Sequence, residues 1–207
     1  MSFLRKLFGG PKKPVIVVSG LPRSGTSMMM KMLERGGLEI VTDGIREANE
    51  DNPKGYYEFE RVKKLPDGDI AWLPEATGKA VKIISALLLH LPDDYRYKVL
   101  FMRRHIDEIL DSQRGMLIRR GEPTDRVDDG EMAQMFETHL RKVYAWMDAQ
   151  PNLAHMDVDY NALLQDEAMS IIQQINAFLG GNLDEQAMAS VIDPNLYRQR
   201  AEKRSDV

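Results

Sequence analysis

Between Pro14 and Leu33 the chain reads PVIVVSGLPRSGTSMMMKML: a β-branched run, then a turn holding Gly20, Arg23, Ser24, Gly25, Thr26 and Ser27, then a Met- and Leu-rich stretch. Strand, glycine loop and helix in that order set free backbone N–H groups and a helix N-terminus against an anion. A guanidinium and several hydroxyls in the same turn add donors suited to phosphate-like oxygens. The chemistry this spacing supports is the holding of a phosphorylated ligand.

The segment Gly20 to Ser27, GLPRSGTS, has the glycine spacing of the P-loop pattern G-x-x-x-x-G-K-[ST], but Thr26 stands at the lysine position. In that pattern the lysine holds the outer phosphates and the Ser/Thr holds Mg²⁺, with help from an Asp on a neighbouring strand. Here the strongest later strand, Lys98 to Met102, runs into Arg103 and Arg104. Cations at that strand end repel Mg²⁺ and attract phosphate, so the sequence predicts a phosphorylated ligand bound without a metal.

LPRSGTS, taken with Arg104 and Ser112 in RHIDEILDS, resembles the PAPS-dependent sulfotransferases. It resembles the short bacterial enzymes more than the long cytosolic ones, weakly from Val15 to about Arg200. The resemblance implies a P-loop NTPase-like, three-layer α/β fold, with a mostly parallel sheet and helices on both faces. It implies transfer of a sulfuryl group from 3′-phosphoadenosine 5′-phosphosulfate (PAPS) to a hydroxyl or amine. By the same resemblance Arg23, Ser24, Gly25, Thr26 and Ser27 cradle the 5′-phosphosulfate, and Arg104 and Ser112 bind the 3′-phosphate. Tyr160, in VDYNALL, matches the strand-end tyrosine that lies near the adenine, although Asn161 and Ala162 replace the acidic residues of the family's Y-E-D-[LM] motif. Arg23 stands where many members carry Lys, and a guanidinium does not readily give up its proton. It is expected to act as an electrostatic clamp.

Sulfuryl transfer moves SO₃ in line between oxygens, so positioning and electrostatics should supply most of the rate. Three groups compete to remove the acceptor proton. Glu58 closes NPKGYYE, which resembles the acceptor-side segment of bacterial sulfotransferases. Lys82 lies on the AVKII strand, roughly where cytosolic members carry Lys-Thr-His. His90 precedes Leu91-Pro92 and echoes that motif from too late a position. Glu58 ranks first, Lys82 second and His90 third. His139 reads as a boundary histidine on the apolar side of its helix. Arg198 and Arg200 occupy a late basic position but lack the family's Arg-Lys-Gly tripeptide.

The elements that must position these groups follow from periodicity and punctuation. Helices are expected from Ser24 to Arg35, His105 to Arg119 and Gly130 to Gln150, and from Ala168 until Gly180-Gly181 stops the last. Strands are expected at Val15–Val18, Leu38–Val41, Ala80–Ile84, Lys98–Met102 and Leu153–Val158. Strands alternating with helices imply a parallel sheet covered on both sides. The Met stripe of the long helix (Met132, Met135, Met147) reads as core. The 207 residues suit one α/β domain over 14–207 behind a tail at 1–13.

A net charge of −4 argues against nucleic-acid binding, and the lack of cysteine removes disulfides and thiol chemistry. No apolar run is long enough to span a bilayer. The expectation is a cytoplasmic protein with a small-molecule or peptide acceptor and no stable membrane insertion. The oligomeric state and the acceptor stay open. Tyr56, Tyr57 and Trp72 are either an aromatic pocket or a small satellite core. Two other readings also stay open: a degenerate P-loop nucleotide kinase or NTPase, and a nucleotide-binding module without turnover.

Overall fold

Every residue of the first strand, β1 (Val15–Gly20), is buried, as a β-branched run without polar alternation requires of a central strand covered on both faces. The structure is a computed structural model describing residues 13–45, 55–124 and 127–193. Expectations for the N-terminal tail, for Asn52-Pro53-Lys54 and for Arg198 and Arg200 fall outside the described residues.

Four further strands join β1: β2 (Ile40–Val41), β3 (Ala80–Lys82), β4 (Tyr97–Arg103) and β5 (Leu153–Asp159). The sheet order is β2-β3-β1-β4-β5 and every pairing is parallel. The glycine loop therefore rises from the middle of the sheet, with β3 and β4 ending on either side of it. Parallel neighbours need crossovers, which the helices supply. These are α1 (Thr26–Arg35), α2 (Leu73–Ala76), α3 (Ser85–Leu88), α4 (Ile106–Arg119), α5 (Asp129–Ala149), α6 (Ala168–Leu179) and α7 (Glu185–Ala189).

Side-chain alternation along the strands splits the interior in two. Val15, Val17, Val81, Val99 and Phe101 pack with Trp72, Leu73, Leu88, Val143 and Met147 on one face. Ile16, Val18, Ala80, Leu100 and Met102 pack with Met29, Met30, Ile172, Ile175 and Met188 on the other. The fold is thus a three-layer α/β sandwich.

Three details differ from the sequence reading. A 3₁₀ run at Glu60–Asp67 fills a segment read only as a short piece. Met135 is 60% exposed, because only the C-terminal half of α5 (Val143, Met147) reaches the sheet. Trp72 is buried in the core, edge-on to Phe59 with its indole N–H on the Asp69 carbonyl, so the aromatics near it build core rather than a pocket.

Candidate functional site

Close approach explains the glycines of the loop. At Gly20 (φ +147°) a Cβ would lie 2.5 Å from the Ser24 Oγ and 2.8 Å from the Met102 carbonyl. At Gly25 (φ +97°) it would collide with the Tyr160 ring. Gly25 is also the N-cap of α1 and offers no side chain, so the first N–H groups of the helix, which have no intrahelical acceptor, are left without a side-chain cap. The Ser24 hydroxyl is buried beneath the loop and has no hydrogen-bond partner among the described residues.

On the β3 side, Lys82 ends its strand with its ammonium directed at the start of α1. Its Nζ donates to the Ser27 Oγ at 3.3 Å and to the Tyr56 carbonyl, and the Glu58 Oε1 lies 3.9 Å away. Ser27 Oγ donates to the same Tyr56 carbonyl at 3.3 Å. The Lys82 side chain is 9% exposed and that of Glu58 19%. The two leading sequence candidates for proton transfer are therefore brought together beside the loop. His90 is exposed just beyond α3 and belongs to neither cluster.

On the β4 side, Arg104 points at the loop. Its NH1 donates to the Arg23 carbonyl at 3.0 Å and its Nε to Glu108 Oε2 at 3.0 Å. The guanidinium sits 4.6 Å from the centroid of the Tyr160 ring. Arg23 has a left-handed backbone (φ +70°), and its Nε donates to the Ser112 Oγ at 3.0 Å. Ser112 thus meets the loop arginine directly. Tyr160 is buried between Gly25 and Arg104, and burial pushes its phenol up in pKa against the opposing pull of the Arg104 charge. It backs the loop as a wedge.

Sequence reasoning passed over Glu108, which is 1% exposed and accepts from both Arg104 and Asn161 Nδ2 (3.0 Å to each carboxylate oxygen). The signal was present: Arg104 and Glu108 have the i, i+4 spacing of a helical ion pair. It also passed over the contact of Ser85 with His139, whose Oγ and Nε2 are 2.8 Å apart and which joins α3 to α5. Nothing in local sequence pairs two residues so far apart. Burial, with the charge of Lys142 second, lowers the pKa of that imidazole.

Beyond Arg104, a cavity of about 470 Å³ opens between the ends of β4 and β5 and the helices α4 and α5. Arg103, His105, Asp107, Glu137 and Asp159 line it. No helix among the described residues is long and apolar enough to cross a membrane.

No family model matches this sequence. No curated protein matches it either. Among solved structures, it is similar to a sugar kinase from Janibacter sp. HTCC2649 in an unliganded structure, with 12% identity and a TM-score of 0.38 over 87% of this chain and 99% of that one. A likeness at that score carries no argument about fold or activity.

Proposed function

We propose that the chain is a sulfotransferase that uses PAPS as sulfuryl donor and a hydroxyl or amine as acceptor. The observation that carries this reading is one uncapped helix start flanked by an arginine cluster on one side and a lysine–glutamate pair on the other. Arg23, Ser112 and Arg104 stand on the β4 side, and Ser27, Lys82 and Glu58 on the β3 side. The open N–H groups of α1 fit a ligand that brings acceptor oxygens.

In this reading the N–H groups of the first turn of α1, with Thr26 and Ser27, hold the 5′-phosphate, and Arg23 clamps it. Arg104 holds the second phosphate from across the loop. The donor supplies the sulfuryl group. Lys82 stabilises charge on the oxygens around the transferred group, and Glu58, 3.9 Å from that ammonium, takes the acceptor proton. Thr26 at the lysine position and Arg103-Arg104 at the end of β4 favour this over metal-assisted NTP chemistry.

The test is a thermal shift. 3′,5′-ADP in EDTA should stabilise the protein, and ATP with Mg²⁺ in the absence of EDTA should do little. Stabilisation by Mg·ATP alone would move the assignment to a kinase or NTPase. Binding of 3′,5′-ADP with no product from any acceptor would leave a nucleotide-binding module.

A further inference from the structure

Arg23 and Tyr57 are the two non-glycine residues with positive φ among those described, and Tyr57 (φ +51°) is the bulkier misfit. An aromatic residue in the left-handed region is held there by its surroundings, and such strain collects at functional sites. The surroundings are explicit here. The Tyr57 hydroxyl donates to Glu34 Oε2 on α1 at 2.7 Å, and Lys31 Nζ donates to the same oxygen at 2.7 Å. That Lys31 bond holds the Glu34 carboxyl below its ordinary range. The next carbonyl along, of Glu58, accepts from Thr42 Oγ1 at 2.9 Å and from the Asp43 N–H at 3.3 Å.

The reversal at Tyr57 has a definite product. A main-chain oxygen before it, of Tyr56, and a carboxylate after it, of Glu58, both meet the Lys82 ammonium. An extended chain would not turn both onto one point.

We infer that Tyr57 is a positioning residue: its left-handed backbone, pinned by the phenol on Glu34, sets the Tyr56 carbonyl and the Glu58 carboxylate on Lys82. Its meaning for transfer rests on the sulfotransferase reading; the geometry itself does not. Tyr57 touches no reacting atom and acts through Glu58 and Lys82.

The experiment compares Tyr57→Gly, Tyr57→Ala and Tyr57→Phe by urea unfolding and by acetic-anhydride labelling of Lys82, read by peptide mass spectrometry against Lys79. Glycine accepts the left-handed backbone, so Tyr57→Gly should unfold at a higher urea concentration than Tyr57→Ala. Lys82 should label several-fold faster in Tyr57→Ala than in the wild type, Tyr57→Gly should restore part of the protection, and Tyr57→Phe should fall between the wild type and Ala. An alanine variant as stable as the glycine one, or unchanged labelling of Lys82 in Tyr57→Ala, overturns the inference. A wild-type thermal shift with 3′,5′-ADP runs beside it. Its absence would sink the sulfotransferase reading, while labelling and unfolding would still decide the role of Tyr57.

Discussion

The NH1 of Arg104 donates to the backbone carbonyl of Arg23 at 3.0 Å, tying the end of β4 to the glycine loop at its left-handed residue. The same guanidinium neutralises Glu108 in a setting where both side chains are nearly inaccessible, 8% and 2%.

Arg104→Ala therefore has two separable effects. It leaves a buried carboxylate without its countercharge, which should cost about 3–5 kcal/mol in urea unfolding. The double change Arg104→Met with Glu108→Leu should recover part of that loss, because an apolar pair carries no ionic desolvation penalty although the buried Asn161 amide loses its acceptor. Titration should then show weaker binding of 3′,5′-ADP in the double variant, with a smaller loss for 5′-AMP. Equal losses for the two nucleotides would confine Arg104 to bracing the loop.

Gly25 and Gly37 share a left-handed backbone (φ +97° and +94°), but a Cβ meets nothing at Gly37 and meets Tyr160 at Gly25. Gly37→Ala should cost about 1 kcal/mol for the backbone alone. Gly25→Ala should cost a further 1–3 kcal/mol, roughly, for overpacking, and should abolish the thermal shift with 3′,5′-ADP. Matching unfolding midpoints for the two variants would contradict the packing of Tyr160 on the loop.

Lys82→Met removes the ammonium shared by Ser27, Tyr56 and Glu58. Release of 3′,5′-ADP from PAPS should slow by about 10²–10³-fold, the scale of losing one charge-stabilising group. The dissociation constant for 3′,5′-ADP should move only a few-fold. A loss of affinity as large as the loss of rate would mean that Lys82 binds the nucleotide rather than serving the transfer.

His139 gives the stability a pH dependence with a defined sign. Its imidazole is lowered from the ordinary 6.5, chiefly by burial. The stability it contributes is present above the unfolded value and is lost as pH falls through the folded one. The difference in unfolding midpoint between the wild type and His139→Gln should be largest near neutrality and shrink in acid. Ser85→Ala should lower stability by about 1 kcal/mol while leaving that pH dependence in place, since burial and not the hydroxyl is its main cause. A dependence that vanishes in Ser85→Ala would assign the shift to the hydrogen bond.

The parts legible in the sequence were those with local causes. The β-branched run at Val15 to Val18, the glycines of the loop and the Gly180-Gly181 stop act within a few residues, and their elements formed as expected. The convergence of Lys82 with Glu58 was approached only as two rival candidates, because the strand order that brings them beside α1 is a property of the whole sheet. Tyr57 was invisible as a strained residue, since an aromatic gives no signal for positive φ. The Met stripe of α5 misled because helical spacing shows which side is apolar and not how far along the helix a neighbour covers it.

The wedge of Tyr160 behind Gly25 also bears on how the molecule comes into being. The glycine loop is synthesised well before its backing, which arrives only after β5. A polypeptide halted before residue 160 would carry every group of the loop yet lack the ring against which it rests, so the loop's backing is complete only once Tyr160 has been made.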